Sequence, residues 1–248
     1  MSVEADAPML AAVAAVAFLG SVVGGVTGYG TGLLLPPVLA PVVGVIAVVP
    51  VMSVAMAFTN GSRIWVYRRD VDRRVVRLTA PLALLGTAIG AWVYVQLPEA
   101  VIALALGGFL LLAVPLQRYG AARRFALGDA GLAASGFGYG LLAGGMSGTG
   151  LLFIVALRAA GIGGSALVAT DATVALSLGL LKTAIFWSNG LLDGALLLAG
   201  LAIGLCAFPG AFVARAVMSR LQLRHHDKVM EAVIVIGGLS LIWKGLSL

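Results

Sequence analysis

The chain has 248 residues, of which 61% are hydrophobic and only 10% charged, where a soluble domain carries roughly 25% charged residues. That balance excludes a soluble globular protein and points to a polytopic protein of the lipid bilayer. The net charge is +6, but the basic residues fall in short clusters between apolar runs, which is the pattern of cytoplasmic loops and not of a nucleic-acid surface.

Met1 to Pro8 carries Glu4 and Asp6 and no basic residue ahead of the first apolar run. It lacks the charged start of a secretory signal, so the first helix is expected to be retained. Crossing ~30 Å of hydrocarbon takes about 20 helical residues. Apolar runs of that order lie at 9–27, 48–67, 78–96, 99–117, 128–146, 166–188, 191–214 and 229–247, which predicts eight long helices. Two shorter apolar stretches, 33–47 and 150–161, follow glycine-rich segments and read as half-helices or re-entrant segments. The one cysteine, Cys206, excludes an intrachain disulfide and is expected as a small core residue.

The glycine-rich segments run from Gly24 to Pro37 and from Gly144 to Phe153, and Gly30-Thr31-Gly32-Leu33-Leu34 recurs 118 positions later as Gly148-Thr149-Gly150-Leu151-Leu152. A lipid-facing helix gains nothing from so many flexible positions, so these segments predict helices interrupted at membrane depth. A second match pairs Trp65 to Asp72 with Phe186 to Asp193 at an offset of 121. In each, a helix ends on a belt aromatic and is followed by a turn carrying an aspartate. The chain therefore reads as a duplication, with one transmembrane repeat over 1–120 and a second over 121–248.

Arginine clusters at Arg68 to Arg77, Arg118 to Arg124 and Arg215 to Lys228 should share the cytoplasmic side. Both five and four crossings per repeat satisfy this for the clusters, but four crossings move Arg158 to the other side, so the rule favours five. An odd number inverts the second repeat relative to the first. The expected fold is thus all-α: two inverted repeats, with eight long helices plus two short broken or re-entrant segments.

Polar groups inside apolar spans are expensive and each needs a reason. Lys182 either faces an interior anion site or snorkels to the interface beside Trp187. Asp171, eleven residues earlier, returns almost to the same helical face, with Ala175 and Leu178 between. It is a candidate for a coupling proton, or a carboxylate placed near a helix start. Ser53, Met56, Asn60 and Arg63 form one stripe at helical spacing, and the duplication sets Asn60 and Arg63 opposite Lys182-Thr183. Arg63 is also open to a snorkelling reading, five residues before Arg68.

Where a helix breaks and another begins, the first amides lack intrahelical partners, and two inward-facing N-termini make an anion site. The candidate substrate-binding set is Gly30, Thr31, Gly32, Asn60, Arg63, Ser147, Gly148, Thr149, Gly150 and Lys182. The alternative for glycine runs is close helix packing, which is the reading preferred for Gly86 to Gly90 and Gly204 to Gly210. His225-His226 lies in a basic loop without metal-ligand spacing, and Gly28-Tyr29-Gly30 matches no dinucleotide fingerprint. No catalytic residue, metal or cofactor is expected.

The glycine segment from Gly28 to Pro37, its repeat from Gly144 to Phe153, the small-polar stretch at Ala169-Thr170 and the turns Val71-Asp72 and Leu192-Asp193 resemble the TauE/SafE sulfite exporter family over nearly the full length. The chain departs from the family pattern in having Thr31 and Thr149 where a further glycine is common, and in lacking the second-half proline near Phe153-Ile154. The resemblance implies a secondary transporter, mostly an exporter, of small sulfur-containing anions such as sulfite or organosulfonates, in the bacterial inner membrane. A passive small-anion channel and a carrier of a non-sulfur organic anion stand as alternatives. A membrane scaffold is disfavoured, because it needs neither broken helices nor buried charges. The expected partners are the small anion, the lipid bilayer, a coupling proton at Asp171 and a second copy in a homodimer.

Overall fold

A polypeptide in hydrocarbon must satisfy its backbone N–H and C=O groups internally, and a helix does this within one segment. The computed structural model describes residues 7–119, 127–217 and 226–247, and among these the regular structure is entirely helical. In chain order the helices are α1 (Ala7–Thr27), α2 (Thr31–Val43), α3 (Val45–Tyr67), α4 (Arg73–Gln96), α5 (Glu99–Tyr119), α6 (Asp129–Gly145), α7 (Gly150–Ala159), α8 (Gly164–Ser188), α9 (Gly194–Ala207), α10 (Gly210–Val217) and α11 (His226–Ser247). The expectations placed on Met1 to Asp6, on Arg123 and Arg124, and on Arg220, Arg224 and His225 lie outside the described residues.

Among the described residues, six stretches are long and apolar enough to cross a bilayer: Pro8–Thr27, Val45–Tyr67, Arg73–Gln96, Glu99–Leu116, Gly164–Ser188 and Gly194–Ala216. The sequence pattern predicts eight. The run at 128–146 forms only the 17-residue α6, because the second glycine segment ends it at Gly145. The run at 229–247 lies within the 22-residue α11. Helices α9 and α10 divide one such span at Phe208-Pro209, where proline removes a backbone donor. Helices α2 and α7, of 13 and 10 residues, are the two short segments. Cys206 is exposed, which corrects its reading as a core residue: it lies on the outer side of α9. Trp65, Trp92, Trp187 and Trp243 also point outward, as belt aromatics should.

The two aspartates of the matched turns have the same local task. Asp72 accepts hydrogen bonds from the Arg74 and Val75 amides at the start of α4, and Asp193 accepts one from the Leu196 amide at the start of α9. Each cap satisfies amides that have no intrahelical partner. The packing is reciprocal. Helix α4 lies along α6 and α1 along α9 and α10; α3 touches α9 while α8 touches α4; α3 meets α8 and α5 meets α11. Lipid tails are as apolar as leucine, so these contacts rely on close approach through small residues. On α6, Gly136, Gly140 and Gly144 face Thr79, Ala83 and Thr87 of α4, and Thr87 Oγ1 donates to the Gly140 carbonyl at 3.1 Å.

A methyl group at Gly140 would run into the Ala83 carbonyl of α4, whereas one at Gly138, on the same helix, meets nothing within 4 Å. Gly140→Ala is therefore expected to lose about 1–3 kcal/mol of stability through overpacking, with Gly138→Ala close to wild type. Thermal unfolding of the purified variants in detergent checks the contrast.

Candidate functional site

The two glycine segments are helix interruptions. The first leaves Gly28 to Gly30 between α1 and α2, and the second leaves Met146 to Thr149 between α6 and α7. Each turns on a left-handed glycine, Gly28 at φ +92° and Gly148 at φ +83°, a conformation in which a side chain is strained. The two interruptions meet: a methyl group on Gly32 would lie 2.8 Å from both the Cα and the amide nitrogen of Gly148. The N-terminal ends of α2 and α7 are thereby brought to one place.

Each interruption is held by a cation from a neighbouring helix. Arg63 of α3 is 3% exposed, and its Nη1 donates to the Gly28 carbonyl at 2.6 Å, just past the end of α1. Its Nη2 donates to Asn60 Oδ1 at 2.6 Å, and Nη1 also stands 3.4 Å from Asp171 Oδ2 of α8. Lys182 of α8 is 6% exposed, and its Nζ donates to the Ala143 carbonyl at 2.8 Å, within the last turn of α6. Carbonyls at helix C-termini have no intrahelical partner and carry the negative end of the helix dipole, so a cation is favoured at both points. Both side chains are turned inward onto backbone carbonyls, so neither snorkels to the surface. Asp171 is the eighth residue of α8, 1% exposed and well inside the helix, so the reading of a carboxylate near a helix start does not hold. Helices α3 and α8 are further joined where the hydroxyls of Ser53 and Thr183 lie 2.9 Å apart.

A cavity of about 40 Å³ sits at this junction. Its wall contains Gly30, Gly32, Asn60, Arg63, Ser147, Gly148, Thr149, Gly150, Asp171 and Lys182 from the sequence-derived set, together with Ser53, Met56, Ala175 and Leu178 of the two helical stripes. Thr31 is absent from the wall. It is buried at the first position of α2 with its backbone against α1, where a methyl group on Gly20 would lie 3.0 Å from its Cα. Tyr29, Tyr139 and Ala143 line the cavity without having been anticipated. The signal for Tyr139 was available, since it is a lone phenol set among glycines in Gly136-Phe137-Gly138-Tyr139-Gly140. The wall carries two cations and one carboxylate. Three buried polar atoms of this region, Ser147 Oγ, Thr31 Oγ1 and Asp171 Oδ1, have no hydrogen-bond partner among the described residues. A buried polar atom left unmade costs roughly 1–3 kcal/mol, and Ser147 and Asp171 are both residues of the cavity wall. The arrangement can hold a small anion between helix N-termini, a lysine and hydroxyl donors.

Gly148→Ala places a methyl group into Leu33 at a positive φ, while Gly163→Ala meets no atom within 4 Å and sits in extended backbone. The first substitution is expected to lower the unfolding temperature, with a cost on the order of 1–3 kcal/mol, and the second to leave it near wild type. Thermal scans of both variants read the difference.

No curated protein and no solved structure gives a match to the chain. The sulfite exporter TauE/SafE family matches residues 13–241, nearly the whole length. With that coverage and its apolar helices, the chain belongs to the sulfite exporter TauE/SafE family, a family of multi-pass membrane transporters and not of enzymes.

Proposed function

We propose that the protein is a secondary transporter that carries small sulfur-containing anions, sulfite first among them, out across the bacterial inner membrane. The observation that carries this reading is the convergence of the two glycine interruptions on one small cavity walled by Arg63, Asp171 and Lys182. The wall has an excess of one cation, which favours a monoanion over a neutral solute. A cavity of about 40 Å³ holds on the order of three water-sized groups at roughly 10–15 Å³ each, the size of a compact oxyanion. Asp171 is the group on which a coupling proton would travel.

Alternating access by two inverted repeats, 1–120 and 121–248, is supported by the reciprocal packing. Exchanging α1 for α6, α3 for α8, and α4 for α9 with α10 turns the α4–α6 contact into the α9/α10–α1 contact, and α3–α9 into α8–α4. Rocking one set against the other about Gly32 and Gly148 would open the cavity to each side in turn.

Two measurements test this reading. In proteoliposomes loaded with sulfite, efflux should saturate and be stimulated by sulfite on the opposite side; linear, unstimulated flux would instead identify a passive channel. Lys182→Gln keeps a donor for the Ala143 carbonyl but removes the charge, and should lower efflux at least tenfold, about 1.4 kcal/mol. Unchanged efflux would remove Lys182 from the substrate site.

A further inference from the structure

Arginine at the end of a membrane span can leave the hydrocarbon and reach the headgroup layer. A second, open cavity of about 600 Å³ lies between the end of α3, the start of α8 and the end of α10, and it shares no wall residue with the cavity at the glycine interruptions. Arg68, Arg69 and Arg215 stand in its wall against one carboxylate, Asp70, and all four residues are exposed. Arg215 Nη1 donates to the Val66 carbonyl at 2.9 Å, which ties α10 to α3, and the Arg68 guanidinium sits 6.0 Å from the centre of the Trp65 ring. Among the described residues none of the three arginines has an ion-pair partner. Ser165 adds the first turn of α8 to the wall, and the cap of that helix, Gly163, makes no side-chain hydrogen bond. The first amides of α8 therefore bring the positive end of a helix dipole to the same place.

Size and border decide what such a site takes. Pockets of roughly 300–1,000 Å³ accept whole drug-sized molecules, so a free phosphate would leave most of this cavity empty. The spans Val45–Tyr67 and Gly194–Ala216 both end here, and their outward aromatics form its edge: Trp65 is 65% and Phe212 41% exposed, with Phe208 one turn earlier and its ring 5.7 Å from that of Phe212. Acyl chains can lie along these rings while a phosphate meets the guanidinium groups. The positive-inside rule assigns this edge to the cytoplasmic leaflet, whose surface is negative. From three unpaired arginines and a helix start around one cavity at the lipid border, we infer that this edge is a binding site for an anionic phospholipid, with its phosphate held by Arg68, Arg69 and Arg215.

Mass spectrometry of intact lipid complexes tests the site, with the full-length protein in detergent titrated with phosphatidylglycerol and with phosphatidylcholine of the same acyl chains. Phosphatidylglycerol should bind about tenfold tighter or more, and Arg68→Gln with Arg69→Gln should remove most of that preference. Arg73→Gln with Arg77→Gln takes the same charge from exposed positions of the same cluster that are not in the wall, and should leave the preference in place. Ser165→Asp keeps every arginine and sets a carboxylate in the wall at a helix start, where it is tolerated; it should also weaken phosphatidylglycerol binding, and it decides the matter should the double variant not purify folded. Equal binding of the two lipids, or a preference that both wall variants retain, overturns the site. An equal loss in the Arg73 and Arg77 variant overturns it in favour of diffuse surface charge. Displacement of the lipid by a tenfold excess of inorganic phosphate overturns it in favour of a free anion.

Discussion

A helix interrupted inside a bilayer releases carbonyls into a medium with no water to receive them, and the structure depends on how those carbonyls are met. Arg63 donates to Gly28 at the end of α1, and Lys182 donates to Ala143 at the end of α6. Each cation comes from the long helix that follows the short one, α3 after α2 and α8 after α7. The two charges that are costly to bury are thus the groups that make the interruptions tolerable, and they stand 119 positions apart in the chain. Removing one partner from such a buried set leaves an uncompensated charge or carbonyl, which is far more costly than the pair is stabilising.

The interruptions are then pressed together because glycine allows it. With Gly32 against Gly148, no side chain separates the two turns, and the beginnings of α2 and α7 share one small space. The same device operates at larger scale along α4 and α6, where glycines let two backbones approach until a threonine hydroxyl reaches the opposite carbonyl. In a medium that offers no hydrophobic drive between helices, this close approach and its hydrogen bonds hold the bundle. The cavity is what remains where the approach stops short, and its polarity follows from the helix ends around it.

Much of this could be read in the chain. The stripe of Ser53, Met56, Asn60 and Arg63 and the stripe of Asp171, Ala175, Leu178 and Lys182 both reach the cavity wall, because helical periodicity fixes which residues share a face once the helix exists. The identical run was a less faithful guide. It pairs Gly30 with Gly148, whereas the left-handed glycines are Gly28 and Gly148, and the short helices begin at Thr31 and Gly150. The first interruption has three residues and the second four, so the two identical strings do not occupy equivalent backbone positions. Thr31 was drawn into the candidate site by that string and in the structure turns against α1.

By itself the sequence determined the bilayer setting, the helical class, the two interruptions and the cost of Arg63, Asp171 and Lys182, since composition, periodicity and charge are local properties of the chain. It could not determine what each charge would meet. Arg63 and Asp171 are 108 residues apart, and Lys182 and Ala143 are 39 apart. Whether a buried cation faces a carboxylate, a freed carbonyl or lipid depends on which helices pack side by side. Only the tertiary structure decided that Arg63 is shared between Gly28 and Asp171, that one oxygen of Asp171 is buried without a hydrogen-bond partner, and that Cys206 faces outward, because those outcomes are set by inter-helix distances that no periodicity encodes.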